Sequence, residues 1–269
     1  MAGRRAGWWK FWRDAGEPPQ APEPDDDAVS GRKPVVRRGL RHVELQFGSG
    51  VSQSRMRTFR PGHLLIDYTR TMMAGLLFRP RPARIGMVGL GGGSQVKFCH
   101  RHLPDTRVEV AENNPHVLAL RRTFRIPRDD ARLQVLLADG ARFVRERRGC
   151  FDILLVDGYD ETGIPAALSS QRFYDDCRDA LVPGGVMASN LYATDFAAHV
   201  RKLQHSFGSD RVWVLEEKRQ SNRVAFAWTG DPFPGGRIDL PAIVAQMPPS
   251  VGRELGGVFE AVAKAWRAR

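Results

Sequence analysis

The stretch RIGMVGLGGGSQVKFCHRHL, residues 84–103, sets out a fold in its own order. An apolar run of strand length leads to Gly89, a glycine-rich turn runs through Gly93, and from Ser94 apolar residues recur at helical spacing. Strand, tight turn and helix form the first half of a βαβ unit. Gly89, Gly91 and Gly93 stand at alternate positions, where the chain can turn sharply and a ligand can approach backbone without meeting a Cβ. A turn serving packing alone would have the same composition. The spacing is not the dinucleotide fingerprint, because the third glycine of G-x-G-x-x-G falls on Ser94.

Downstream, the strand-like runs RVEVAE, LQVLLAD, FDILLVD and GVMASNL alternate with the helical patterns PHVLALRRTF, GARFVRER and SQRFYDDCRDAL. Apolar strands separated by amphipathic helices predict a parallel sheet covered on both faces. Two further runs, RVWVLEE and NRVAFAWTG, follow a helix around residues 195–207 and are expected to pair antiparallel at one sheet edge. Upstream, HVELQF and VSQSRMRTF read as a hairpin, and Pro61 is expected to open a helix over GHLLIDYTRTMMAGLLF. Four segments result: a tail over 1–34, a β-hairpin element over 35–60, a nucleoside-binding αβ domain over 61–235 and a helical segment over 236–269. The tail, rich in Pro, Gly and acid, has little to bury and is expected to be disordered, with Trp8, Trp9, Phe11 and Trp12 able to rest on a partner or membrane surface.

Net charge is +11, but only six of the 41 basic residues are lysine and the excess is spread along the chain. That pattern describes a solvated basic surface and argues against a nucleic-acid partner. No apolar run approaches the roughly 18–20 residues that span a bilayer. The basic, aromatic N-terminus lacks the apolar core of a secretory signal. Cys99, Cys150 and Cys177 form no paired framework, which suits a reducing, cytoplasmic setting. Cys99, His100 and His102 do not converge from one helix as a metal set must, so no metal is expected.

In open α/β sheets ligands gather beyond the C-terminal strand ends. Glu112 closes the second strand, 23 residues after Gly89, where an acid can accept from both ribose hydroxyls; an exposed loop acid explains it equally well. Asn114 stands beside it as a further donor and acceptor. Asp139–Gly140 closes the third strand, positioned for an adenine amino group and also for an N-cap. The fourth strand ends in FDILLVDGYDETGIP, residues 151–165, with Asp157 at the crevice and Asp160 three residues on. Two carboxylates there would bind a cationic acceptor, and one would take the proton an ammonium must lose before attacking carbon. Tyr159 lies between them, placed to pack on the acceptor or the adenine.

The ordered segments QSRM, DYTRTMM, GLGGGS, AENN, ADGARF, VDGYDETGIP and LVPGGVMASNL resemble the spermidine synthase-like branch of the class I methyltransferase fold over roughly residues 40–230. The resemblance implies a Rossmann-like, mostly parallel seven-stranded sheet with an antiparallel edge hairpin, preceded by a small N-terminal β element. It implies aminopropyl transfer from decarboxylated S-adenosylmethionine to a polyamine or other small amine. Glu112 would hold ribose, Asp139 and Gly140 the adenine region, and Asp157 with Asp160 the attacking amine. Gln53, Asp67 and Tyr68 fall where the family lines its acceptor groove, and a homodimer is compatible with the resemblance. The family's glycine-loop aspartate corresponds to Gly92 here, and its other groove acids are partly replaced. Methyl transfer from intact S-adenosylmethionine to a small molecule is the alternative.

Overall fold

A computed structural model describes residues 33–47, 52–159, 163–192, 195–217 and 222–269. Asp160, the tryptophan-rich segment and nearly all of the 1–34 tail lie outside the described residues. The chain builds two sheets. The smaller comprises β1 (Val35–Arg38), β2 (His42–Gln46) and β3 (Ser52–Arg57), antiparallel throughout. Sequence pattern pointed to a two-stranded hairpin; β1 adds a third strand, its short, largely exposed run showing little alternation.

The larger sheet contains β4 (Arg84–Val88), β5 (Arg107–Glu112), β6 (Leu133–Leu137), β7 (Phe151–Val156), β8 (Leu181–Leu191), β9 (Val212–Glu216) and β10 (Arg223–Trp228). Their spatial order is β6-β5-β4-β7-β8-β10-β9. The first five named in that order are parallel, and β10 pairs antiparallel with both β8 and β9. The expected seven-stranded α/β architecture is therefore present, with the strand order reversing between β4 and β7. Alternation assigns each strand to two apolar layers: Ile85, Ile153, Leu155, Val186 and Phe226 face one, and Val88, Leu154, Val156 and Met187 the other. The second layer is covered by α4 (Gly140–Arg145), α5 (Gln171–Ala180) and α6 (Phe196–Phe207).

On the first layer lie α1 (Asp67–Met72), the 3-10 turn that continues it through Leu77, α2 (Ser94–His102) and α8 (Pro249–Arg267). Between β5 and β6 runs α3 (Pro115–Ala119), and α7 (Leu240–Val244) precedes α8. The entry helix starts at Asp67, six residues later than Pro61 suggested. The Thr69 hydroxyl donates to the Ile66 carbonyl at 2.6 Å and fixes that first turn. In α8, Val251, Leu255, Phe259 and Val262 repeat at helical spacing and are all buried. Trp266 closes the helix in an aromatic cluster, 5.2 Å from the Trp213 ring and 5.1 Å from Phe233.

One carboxylate anchors the entry to the sheet. Asp152 accepts from Ala83 N at 2.8 Å, from Arg84 N at 3.0 Å and from the Arg79 guanidinium. Asp152→Ala leaves two backbone donors and a guanidinium without this acceptor. We expect a loss of about 3 kcal/mol in urea unfolding, with an unchanged denaturant slope.

Candidate active site

The C-terminal ends of β4, β5, β6, β7 and β8 meet at one rim of the sheet. At the strand-order reversal, Asp157 N donates to the Val88 carbonyl at 2.9 Å, and Gly89 N donates to Ala111 O at 2.8 Å. Gly89 has φ +95°, and a Cβ there would run into the Asp157 carbonyl oxygen. No side chain fits, so the glycine loop lies directly against the chain that carries Asp157.

Glu112 is buried at the end of β5. Its Oε2 accepts from Leu90 N at 2.9 Å and its Oε1 from Asn114 N at 2.9 Å. Burial raises its pKa, opposed by backbone N–H groups of Leu90, Asn114, Gly91 and Asn113. The carboxylate thus staples the glycine loop to β5. Asn114 caps α3, accepting from His116 N at 2.9 Å, and Asp139 caps α4, accepting from Arg142 N at 2.7 Å. Gly140 is buried behind Asp139, and Gly91 and Gly93 carry φ +50° and +62°.

Asp157 accepts on both oxygens: Tyr68 Oη donates to Oδ2 at 3.0 Å and Asn190 Nδ2 to Oδ1 at 2.9 Å. Asn190 Oδ1 accepts in turn from Asn222 Nδ2 at 2.9 Å. Asp157 keeps part of its surface exposed, yet burial raises its pKa, opposed by the bonds from Asn190 and Tyr68. Burial and then the Asp157 charge push the Tyr68 phenol well above its ordinary value, so it remains a donor. Tyr159 Oη donates to Asn190 O at 2.7 Å and accepts from Tyr192 N at 2.6 Å, which ties its ring to the end of β8.

The N-terminal sheet packs on the glycine loop. Ser54 Oγ accepts from Gly92 N at 3.1 Å. A Cβ on Gly92 would collide with that hydroxyl and come within 3.0 Å of the Phe124 ring. Gln53, half-buried beside Ser54, falls where the β2–β3 register shifts, a β-bulge of the kind that redirects side chains at binding sites. Beneath the loop, Lys97 Nζ donates to Gly92 O and Phe124 O, both at 2.9 Å. Burial, with Arg125 adding repulsion, pushes its pKa down to about 7. Asp67 sits at the start of α1, half-buried, beside Tyr68.

The structure therefore gathers Gly89, Gly91, Gly93, Glu112, Asn114, Asp139, Gly140, Asp157, Tyr68 and Tyr159 at this rim. Sequence reasoning missed Asn190, Asn222, Ser54 and Lys97. Asn190 carried a signal, a polar side chain late in the apolar run GVMASNL. His100 pairs with Asp130 at 2.8 Å, and the His102 ring packs 4.8 Å from the Phe98 ring. A cavity of 330 Å³ lined by Trp228, Trp266 and Arg269 opens at the opposite end of β10, away from these strand ends.

A family model for the spermine/spermidine synthase domain matches residues 70–204, half of the chain, including Glu112, Asp139, Asp157 and Asn190. The chain belongs to the spermine/spermidine synthase family. Among curated relatives it is 34% identical over 192 residues to the polyamine aminopropyltransferase of Neisseria meningitidis, covering 70% of this chain and 73% of that one. It is 31% identical over 158 residues to the eEF1A lysine and N-terminal methyltransferase of Xenopus laevis, covering 52% of this chain and 23% of that one. The crystal structure of a probable spermidine synthase from Corynebacterium glutamicum shares the fold, with TM-score 0.65 at 17% identity, covering 83% of this chain and 90% of that one. Among the described residues no helix is long and apolar enough to cross a membrane.

Two expectations follow. Gly92→Asp alone should destabilise the protein by about 2 kcal/mol, and Ser54→Gly in the same chain should recover much of that loss; equal losses in single and double variants would exclude the collision. For Lys97, the folded pKa of about 7 lies below the ordinary lysine value of 10.5, so the unfolded chain holds the extra proton between those limits. Stability should therefore rise with pH across that window, by up to about 1.4 kcal/mol per pH unit, and Lys97→Met should remove that part of the slope.

Proposed function

We propose that the protein transfers the aminopropyl group of decarboxylated S-adenosylmethionine to an amine of the polyamine class. The observation that carries this reading is Asp157 itself. In a chain of this family, it is a carboxylate of raised pKa at the strand-order reversal, held on both oxygens and flush against the glycine loop. The nucleoside end suits the donor: the glycine loop admits close approach, Glu112 stands at the end of β5 where the ribose would lie, and Asp139 with Gly140 borders the adenine side.

The donor supplies its own leaving group, a sulfonium, so the protein's work is to position the partners and remove a proton. The acceptor ammonium gives its proton to the Asp157 carboxylate. The freed nitrogen lone pair forms a C–N bond at the methylene carbon beside sulfur, the C–S bond breaks, and its electron pair returns to sulfur, leaving methylthioadenosine. Tyr68 and Asn190 hold the carboxylate oxygens, and Asp160 would add a second negative charge for the acceptor.

One observation favours a second reading. The loop has no acid at Gly92 to meet an aminopropyl ammonium, Ser54 fills that space, and the buried Lys97 lies beneath it. Such a surround suits a tail that keeps its carboxylate, hence methyl transfer from intact S-adenosylmethionine.

The deciding experiment offers each donor separately with a panel of polyamines and identifies the nucleoside product by mass. Methylthioadenosine from the decarboxylated donor alone is the expected result; S-adenosylhomocysteine from the intact donor would move the protein to methyl transfer. Asp157→Asn should lower kcat by about 10²–10⁴. Because the carboxylate must be unprotonated to act, wild-type activity should fall as pH drops through its raised pKa.

A further inference from the structure

We propose that Asn222 is a positioning residue that, through Asn190, holds the Asp157 carboxylate in the geometry needed to take a proton; this rests on the reading of Asp157 as the base. An ionised carboxylate only accepts hydrogen bonds, so Asn190 must turn its Nδ2 toward Asp157. The amide's other end, Oδ1, then points away into protein, where Asn222 Nδ2 donates to it at 2.9 Å. The network fixes which way the Asn190 amide faces. Without Asn222, the Asn190 oxygen would lose its buried donor, and the amide would be held at one end alone, free to swing its Nδ2 away from the Asp157 oxygen.

Both amides are deeply buried, Asn190 at 4% and Asn222 at 7% exposure. Buried amides are costly unless fully bonded, and an apolar pair would fill a sheet interior at less cost. Here the pair passes a donor from one strand to the next and delivers it to Asp157. Sheet topology makes this possible. β10 runs antiparallel to β8, with Arg223 opposite Leu191 and Val224 opposite Asn190, so the residue just before β10 arrives at the rim where the parallel strands end. Asn222 is anchored there by its own carbonyl, which accepts from Glu217 N at 2.9 Å. It also lies outside the 70–204 stretch matched by the family model.

The Asp157 charge acts on Tyr68 from α1 and on Tyr159 from the chain after β7, raising the pKa of both. Asn190 is the neutral donor opposite Tyr68, and its bond favours the ionised form of Asp157. Removing that bond, directly or through Asn222, should shift the titration of Asp157 to higher pH.

The test follows the Asp157 carboxyl carbon by NMR in protein labelled with carbon-13 aspartate, the resonance being assigned by its loss in Asp157→Asn. Wild type, Asn222→Leu, Asn190→Leu and the double variant are titrated. In parallel, the pH dependence of kcat/KM for the amine is measured. Asn222→Leu is expected to move the titration upward, Asn190→Leu to move it further, and the double variant to move it no more than Asn190→Leu alone. At neutral pH, kcat/KM should fall about tenfold in Asn222→Leu, with donor KM unchanged. An unmoved titration in folded Asn222→Leu, or effects that add in the double variant, would overturn the proposal. If leucine prevents folding, Asn222→Ser, which keeps a donor, should titrate closer to wild type than Asn222→Ala; the reverse order overturns it as well. A moved titration without a matching move in the acid limb of kcat/KM would leave the relay standing and remove Asp157 as the base.

Discussion

The site depends on how closely two neighbouring strand ends approach one another. Where β4 gives way to the glycine loop, Gly89 lies against the Asp157 carbonyl with no space for a Cβ, and Asp157 N is bonded to Val88 O. This packing sets the glycine loop beside the Asp157 carboxylate. Glu112 reinforces it from the other side by binding Leu90 N. Under the proposed reaction these two contacts would set donor and acceptor in register, since in-line displacement requires both partners close to their working positions.

Around that junction the protein draws on elements remote in sequence. Tyr68 comes from the entry helix, Ser54 from the small sheet, and Asn222 from the position just before β10, the strand that runs antiparallel to β8. A parallel strand brings its last residues to the rim and an antiparallel strand brings its first. The edge hairpin therefore contributes to the site from the end of the strand a parallel reading would overlook.

Much of the sheet was legible because buried parallel strands leave continuous apolar runs between turn residues, and the acids at their ends stand out against that background. Glu112, Asp139 and Asp157 were found in this way. Their local roles were less legible. Whether Glu112 faces ribose or staples a loop depends on the backbone N–H groups that fold around it, and sequence does not display those. Asn222 and Ser54 could not be read, since each acquires meaning only from a partner more than thirty residues distant, across a contact that no periodicity encodes. The start of the entry helix was misplaced for a similar reason: Pro61 permits a helix, but the Thr69 bond to Ile66 decides where the first turn closes.

The contact between Ser54 and Gly92 also bears on how such a site can change over time. Any side chain at 92 meets the Ser54 hydroxyl, so an acid enters the glycine loop at less cost once residue 54 has become smaller. Reducing residue 54 leaves Gly92 N in need of a new partner, a modest cost that later steps can recover, whereas the opposite order passes through a clash. Descent between this site and one with a carboxylate in its loop therefore runs along a path with a preferred order of substitutions, set by one hydroxyl on a neighbouring strand.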